Sequence, residues 1–319
     1  GWTSTGQGAF FIYRITTTIK NTKPYMSGIS TIIPVYKHEE LFLHNLEHNA
    51  HYLKKTEIII VIDDPTSRGL KERIHAITPQ AHVLHNSVNM GFSGSMNQGV
   101  KRASNSYLLF LNSDVKLLDV SYQKAADLLK KNVNLFAVSF AQIEKDKSIV
   151  GANTARLHNG IFEHSGKNAK RTCANLWPEG GSSLVRASYF QALNGYDELY
   201  APFYWEDVDL GFRAWKRGYE TIFSPDILVE HHHETTIRSF FSKKTITAIA
   251  QRNQFVFMWK NLDHLSFIHQ GLYILQHPSL IPAALAACLM LPAIRAKRHA
   301  EIPFWKKTDE EVLVTVQPA

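Results

Sequence analysis

Cysteine is scarce in this 319-residue chain: Cys173 and Cys288 stand far apart, without the paired spacing of a zinc site or a disulfide framework. A reducing cytosol is therefore the expected setting. Long apolar runs are lacking too. No stretch reaches the roughly 18 to 20 uninterrupted apolar residues that a spanning helix needs. The nearest approach, Leu280 to Ile294, is broken by Pro282 and Pro292. Internal repeats and low-complexity tracts are also missing. Residues 1–25 lack the pattern of a signal peptide, because no small-residue cleavage site follows a basic start. Met26 directly precedes Ser27-Gly28-Ile29 and the first clear strand. Residues 1–27 are thus expected to be an added leader or a dispensable extension.

What is present is ordinary for a globular protein. Apolar residues make up 45% and charged residues 20%, and the length suits one large α/β domain with an appendage or two modest domains. The net charge of +7 is unevenly placed: from Thr236 onward there are ten Lys or Arg against five Asp or Glu, a net +5. A basic tail on a near-neutral body suits an anionic membrane surface or an anionic acceptor better than a sequence-reading DNA protein. No nucleic-acid partner is expected, and a solvated basic face without any partner is an equal alternative.

Three apolar runs in the first half end in polar residues: Ile29 to Val35, Glu57 to Ile62 before Asp63-Asp64, and Tyr107 to Leu111 before Asn112-Ser113-Asp114. Continuous rather than alternating apolar runs imply strands buried on both faces, hence a parallel sheet covered by helices. Helical patterns at Glu39 to Leu53 and Ser95 to Ala103, and a short strand at His82 to His85, complete a βαβ alternation. Ligands of such sheets sit at the carboxyl ends of the strands. The second half predicts a hairpin turning at Asn159-Gly160, a Gly-rich stretch Glu179 to Ser183 leading into Leu184-Val185, and a short helix ending at Asn194-Gly195. A helix from Glu206 to Gly218 and strands at Tyr219 to Phe223 and Ile227 to Glu230 follow. From about Ser239 the pattern is helical and amphipathic, with a boundary near residue 236.

Five segments carry candidate chemistry. Asp114, on the turn after a strand, can ligate a hard divalent cation that also holds phosphate oxygens, although such a turn is more often only a turn or an N-cap. Asp63 can accept a hydrogen bond from a base or ribose, or can simply form an Asx-Pro turn with Pro65. The glycines of Asn89 to Gly99 allow backbone N–H groups to approach an anion at a helix N-terminus, in a sequence that is neither a Walker loop nor the dinucleotide fingerprint. Glu206 and Asp207 open a helix behind Phe203, Tyr204 and Trp205, an apolar wall that can keep a carboxylate basic; the macrodipole alone also favours acids there. Asp209 is spaced to pair with Arg213 one turn on. Finally, His231, His232 and His233 end a strand, and one of them can complete a metal site begun by Asp114.

The order of these segments resembles glycosyltransferase family 2, the inverting enzymes with a GT-A fold, over about residues 29 to 236. Ile32-Ile33-Pro34-Val35-Tyr36 resembles the family's opening strand, and Ile60-Val61-Ile62-Asp63-Asp64 its second strand with the base-binding acid, at Asp63. Asn89-Met90-Gly91-Phe92-Ser93-Gly94-Ser95-Met96-Asn97-Gln98-Gly99 resembles the signature of the rhamnosyltransferase-like branch. Asn112-Ser113-Asp114 stands where the family has Asp-x-Asp, leaving Asp114 as the carboxylate ligand. Gly180 to Arg186, Gly195-Tyr196-Asp197-Glu198 and Glu206 to Leu210 follow in family order, and Pro225-x-x-x-Val229-x-His231 resembles the strand whose histidine reaches the metal. Arg252-Asn253-Gln254 and Trp259-Lys260-Asn261 also look like this branch.

The resemblance implies an α/β GT-A fold at residues 28–236, with a mainly parallel sheet flanked by helices. Its nucleotide-binding part is 28–118 and its acceptor and catalytic part 119–236, followed by a helical region at 237–319. It also implies a metal-dependent inverting transfer from a nucleotide-diphosphate sugar (dTDP-, UDP- or GDP-linked, rhamnose being the first to try) to a glycan or lipid-linked glycan. Asp114 and His231 would hold Mg²⁺ or Mn²⁺, Asp207 would act as base, and Glu206 would orient the acceptor or cap the helix. Pro34, Tyr36, Asp63, Asn89, Gly91, Phe92, Asn97, Asn112 and Ser113 are the donor-site candidates. Trp177, Gly180, Gly181 and Trp205 are the acceptor candidates. The expected location is the cytoplasm, with peripheral contact at the inner face of the cell membrane through the tail, and a homodimer is compatible with the sequence. Two rival readings are a sugar-nucleotide pyrophosphorylase, which would need a Gly-rich basic loop where Pro34-Val35-Tyr36-Lys37-His38 stands, and a non-catalytic basic module for nucleic acid or membrane.

Overall fold

A computed structural model describes residues 25–231, 237–263 and 266–317. The leader expected at the N-terminus, together with His232 and His233, falls mainly outside these residues. In chain order the strands are β1 (Met26–Val35), β2 (Glu57–Ile62), β3 (His82–His85), β4 (Asn105–Leu111), β5 (Val115–Leu117) and β6 (Leu135–Ile143). They continue with β7 (Ile149–Val150), β8 (Asn153–His158), β9 (Ile161–Gly166), β10 (Cys173–Ala174), β11 (Ser182–Arg186) and β12 (Glu220–His231). The helices of the first two thirds are α1 (Glu39–Ala50), α2 (Leu70–Ile77), α3 (Gly91–Arg102), α4 (Tyr122–Lys131), α5 (Ala187–Ala192) and α6 (Glu206–Lys216). The tail supplies α7 (Ile237–Phe240), α8 (Lys243–Asn261), α9 (Phe267–Gln276), α10 (Ile281–Cys288), α11 (Leu291–Glu301) and α12 (Asp309–Val316).

The main sheet runs β10-β12-β6-β11-β4-β1-β2-β3. Strands β3, β2, β1 and β4 run parallel to one another, which suits the apolar runs of β1, β2 and β4, since both faces are covered by helices. Strand β11 enters antiparallel between β4 and β6, and β12 pairs parallel with β6. The two short strands expected at 219–223 and 227–230 form one strand, β12. Its register against β6 shifts between Ser224 and Leu228, where Pro225 cannot donate to the ladder. Strand β6 and helix α4 lie where no element is expected from the sequence. The hairpin β8–β9 forms as expected, with Asn159 and Gly160 both at positive φ.

Three large apolar clusters make up the core. One lies between the sheet and α1, α2 and α4, around Leu46, Ile60, Leu109 and Phe140. The second joins the hairpin and α6 to the tail through Phe162, Trp205, Phe212, Phe257 and Ile294. The third lies between the sheet and α3, α5 and α6, around Ile32, Met96, Phe190 and Leu210. Helix α8 thus packs on the face of α6 away from the sheet, and the tail's apolar positions share one core with the residues that support α6.

Candidate active site

The carboxyl ends of β1, β2 and β4 open into a cavity of about 520 Å³ whose wall includes Pro34, Tyr36, Asp63, Asn112, Ser113 and Asp114. On the far side stand Gly180, Gly181, Phe203, Tyr204, Glu206 and Asp207, with His231 at the base. This is where an open α/β sheet places a ligand.

The pairing of β5 with β12 sets Val115 opposite His231, and Asp114 is thereby brought against the imidazole: Nε2 lies 3.3 Å from Asp114 Oδ1. The other ring nitrogen, Nδ1, donates to Gln142 Oε1 at 3.0 Å. Gln142 is oriented in turn by its amide nitrogen, which donates to Ser182 Oγ at 2.7 Å. That bond fixes the orientation of the ring, with Nε2 toward Asp114. A carboxylate oxygen beside a ring nitrogen lone pair is a donor set that suits a divalent cation sharing its remaining positions with diphosphate oxygens. Among the described residues no group of three or more His, Cys, Asp or Glu converges in this way, so the protein offers a pair and leaves room for ligand oxygens.

Across the cavity, the start of α6 is held by an uncommon backbone path. Tyr204 and Trp205 both have positive φ, 70° and 77°. The turn is pinned from the tail: Asn253 Nδ2 lies within hydrogen-bond reach of the carbonyl oxygens of Tyr200, Phe203 and Tyr204 at 2.8, 3.1 and 2.9 Å. The two acids that follow are in different states. Burial, then the Asp207 carboxylate beside it, pushes Glu206 well above the ordinary glutamate range, and its Oε2 is buried without a hydrogen-bond partner. Burial, then the Glu179 carboxylate, pushes Asp207 up to about 7. Asp207 is therefore poised near neutrality between its two forms, as a general base must be, while Glu206 is shifted toward its protonated form relative to a free glutamate. Asp209 differs from both: its Oδ2 accepts from Arg213 Nε at 2.7 Å and its Oδ1 meets Lys260 Nζ at 2.7 Å, so it is a fixed anion of the core.

Several expected residues play other parts. The stretch Gly91 to Gly99 is the first three-quarters of α3 rather than a loop ahead of a helix beginning at Ser95. The N–H groups at its start are already bonded within the protein: Met90 to Asp63 Oδ1 at 2.8 Å, Gly91 to Asn89 Oδ1 at 2.9 Å, and Phe92 to Pro202 O at 3.3 Å. They form no open anion cradle. Asn89, Gly91 and Phe92 do line the cavity, with Gly91 at φ 69° against the Pro202 backbone. Asn97 does not: its side chain bonds both backbone groups of Tyr196, at 2.9 and 3.0 Å, and braces α3 against the turn before α6. Asp63 reaches the cavity but is nearly buried, and its Oδ1 also accepts from Asn86 at 2.8 Å. Burial pushes this carboxyl up against those bonds.

Gly180 and Gly181 line the cavity, while Trp177 and Trp205 turn away from it. Their rings meet His164, at centroid distances of 5.2 and 4.8 Å. Trp205 floors a second groove of about 710 Å³ between the β8–β9 hairpin and α8. The apolar wall expected beside Asp207 therefore comes from Phe203 and Tyr204, joined by Phe241 of the tail. Sequence reasoning gave no role to Glu179, although it directly precedes the Gly-rich stretch, nor to Gln142, a polar residue inside an otherwise apolar run.

The fold and the cavity define a glycosyltransferase of the GT-A type. The profile described as "Glycosyl transferase family 2" matches residues 30–193, and the chain belongs to that family. A 56-residue stretch is 45% identical to an N-acetylglucosaminyl-diphospho-decaprenol L-rhamnosyltransferase found in two Mycobacterium tuberculosis strains, covering 18% of this chain and 18% of that protein. A longer stretch of 137 residues is 23% identical to an uncharacterized glycosyltransferase of Rickettsia bellii, over 42% of this chain and 20% of the other. The match therefore spans about a fifth of each relative's length. Among solved structures, GalNAc-T7 with UDP, GalNAc and Mn²⁺ superposes with a TM-score of 0.65 at 13% identity, over 90% of this chain and 56% of that one. The mannosyltransferase PcManGT from Pyrobaculum calidifontis, in complex with GDP-Man and Mn²⁺, gives 0.53 at 13% identity, over 92% and 89%. At that identity the likeness is one of fold.

Proposed function

We propose that this glycosyltransferase moves a sugar from a nucleotide-diphosphate donor to a hydroxyl of a glycan or lipid-linked glycan by a single, inverting displacement. The observation that carries the proposal is the placing of Asp207, with its pKa near neutrality, across one cavity from the Asp114–His231 pair. Asp114 Oδ1 and His231 Nε2 would hold Mg²⁺ or Mn²⁺, which when bound neutralises the departing diphosphate. Asp207 removes the acceptor hydroxyl proton as that oxygen attacks the anomeric carbon from the opposite face. Glu206, its carboxyl pushed up by burial and by Asp207, can orient the acceptor. Asp63 and the ends of β1 and β4 face the nucleoside half of the donor.

Rhamnose is the first donor sugar to test, because the mycobacterial relative is a rhamnosyltransferase; that relative also acts on a polyprenyl-diphosphate acceptor. The Mn²⁺ of both solved structures supports a divalent cation. A donor-hydrolysis screen of dTDP-, UDP- and GDP-sugars with Mg²⁺, Mn²⁺ and chelator tests base, sugar and metal together. Hydrolysis that is equally fast with chelator would remove the metal from the proposal. Release of product with retained anomeric configuration in the transfer reaction would remove the single displacement.

A further inference from the structure

Helix α9 is apolar on both sides: Tyr273 and Ile274 pack against the second core, and further apolar residues face outward. Its one fully buried side chain is a polar one, Gln270. That amide donates to Gly160 O at 2.9 Å and accepts from Trp259 Nε1 at 3.1 Å, tying α9 to the β8–β9 turn and to α8. Ile268, Leu272 and Leu275 stand outward at i, i+4 and i+7, with Ile268 and Leu275 77% and 74% exposed. A helix packed on a globular core normally keeps its outward face polar.

The outward face continues beyond α9. Leu285 and Leu289 are exposed, Leu289 by 86%, while Ala283 and Ala287 of α10 pack inward on the second core. From His264 to Ile294 the sequence has 31 residues without one Asp, Glu, Lys or Arg. The charge-free stretch ends at exposed Arg295, within the tail that carries the +5 excess. Large exposed apolar side chains gathered on two successive helices in this way mark an interaction site.

We infer that α9 and α10 form a docking face for an anionic lipid bilayer, with Ile268, Leu272, Leu275, Leu285 and Leu289 inserting into the headgroup and acyl boundary. Charge decides the occupant. Two copies of this chain would bring two positively charged tails together, whereas an anionic leaflet attracts the tail and receives its apolar residues. The geometry is that of lying on the surface. No single described helix is long and apolar enough to cross a membrane, and the one pair that passes on composition, Pro278–Cys288 with Leu291–Phe304, is bent by 71°. Because Gln270 fastens α9 to the hairpin, and the hairpin walls the groove floored by Trp205, bilayer contact sets that groove at a fixed height over the lipid. The inference does not depend on the donor chemistry and is tested without any sugar nucleotide.

The test is flotation of the full chain with vesicles of phosphatidylglycerol and phosphatidylcholine, set against phosphatidylcholine alone. Wild type is expected to float with the anionic vesicles and more weakly with the neutral ones. Leu272→Asp with Leu275→Asp should lower the partition by roughly tenfold or more per residue with an unchanged melting temperature, because both side chains are exposed. Phe267→Trp provides an independent reading, since its fluorescence should shift to the blue on adding anionic vesicles. Absence of flotation with either composition would overturn the inference. So would a double variant that floats like wild type, or a wild type that self-associates through this face and ignores vesicles.

Discussion

Asp114 Oδ1 and His231 Nε2 face each other at 3.3 Å across the end of the sheet, and what keeps the imidazole in that orientation is a third residue, Gln142, 3.0 Å from Nδ1. This arrangement makes Gln142 a positioning residue that touches neither donor nor acceptor. Replacing Gln142→Leu removes the acceptor for Nδ1–H and frees the ring to rotate or to change tautomer. Loss of such an outer partner typically costs about 10- to 100-fold in metal affinity. Mn²⁺ titration in the presence of nucleoside diphosphate should show that loss, with far-ultraviolet circular dichroism unchanged. Asp114→Asn should go further and remove the stimulation by Mn²⁺.

The division between Glu206 and Asp207 predicts different kinetics for two isosteric changes. Asp207→Asn should lower kcat by about 10²- to 10⁴-fold while the donor affinity, measured by titration calorimetry, changes little. Glu206→Gln keeps a hydrogen-bonding group of the same shape and should cost less than about tenfold. A loss from Glu206→Gln equal to that from Asp207→Asn would reverse the two roles.

Acid–base behaviour follows from the same residue. The carboxyl of Asp207 is raised from 3.8 to about 7 by burial and by Glu179, so kcat/KM should climb with pH and level off above about 7. Stability moves the other way. The folded state binds this proton more tightly than the unfolded chain, so stability is full below the unfolded value and falls as pH rises from about 4 to about 7. Asp207→Asn should accordingly melt higher than wild type at pH 8 and show no advantage at pH 4, as read by calorimetry. Residues that strain a site for function commonly stabilise it when replaced.

Much of this was legible in the sequence, for a physical reason. Strands β1, β2 and β4 are buried on both faces by local apolar runs, and Asp209 and Arg213 meet because one helical turn separates them. Elements whose sense lies in distant partners were not legible. Strand β6 carries Ser139 and Gln142 in its interior, and their partners are Gly151, Ser182 and His231. Helix α3 begins at a glycine because Asp63 and Pro202 hold its first N–H groups. Trp205 sits beside Glu206 in sequence, yet its positive φ directs the ring into the second core, a turn that no periodicity reveals.

Asn253 carries the influence of the tail on the catalytic turn, since its amide nitrogen reaches three carbonyl groups between Tyr200 and Tyr204. Asn253→Ala leaves buried carbonyls without a donor, a cost of about 1 to 3 kcal/mol. The positive-φ step before Glu206 then loses its clamp, so kcat should fall more than the donor KM rises. Asn253→Ala with normal kcat and only a lower melting temperature would show that the clamp is structural alone.

Lys260 is the other link from the tail, and it is buried between two aspartates: Nζ lies 2.6 Å from Asp197 Oδ2 and 2.7 Å from Asp209 Oδ1. Burial alone would raise both acids. For Asp197 it is outweighed by Lys260 and Lys297, and for Asp209 by Arg213 and Lys260, so both are held below the ordinary aspartate value. Lys260→Met leaves two buried carboxylates short of a partner and should destabilise the fold by about 3 to 5 kcal/mol. The pH dependence separates this from a packing defect. Folded values below the unfolded one mean that the contribution is complete above about pH 4 and declines progressively as pH falls below it toward the depressed folded values. The difference in unfolding free energy between wild type and Lys260→Met should therefore shrink on going from pH 6 to pH 3 in urea titrations. A difference that stays constant over that range would assign the loss to packing of the lysine stem against Tyr200, whose ring centroid lies 5.3 Å from Nζ.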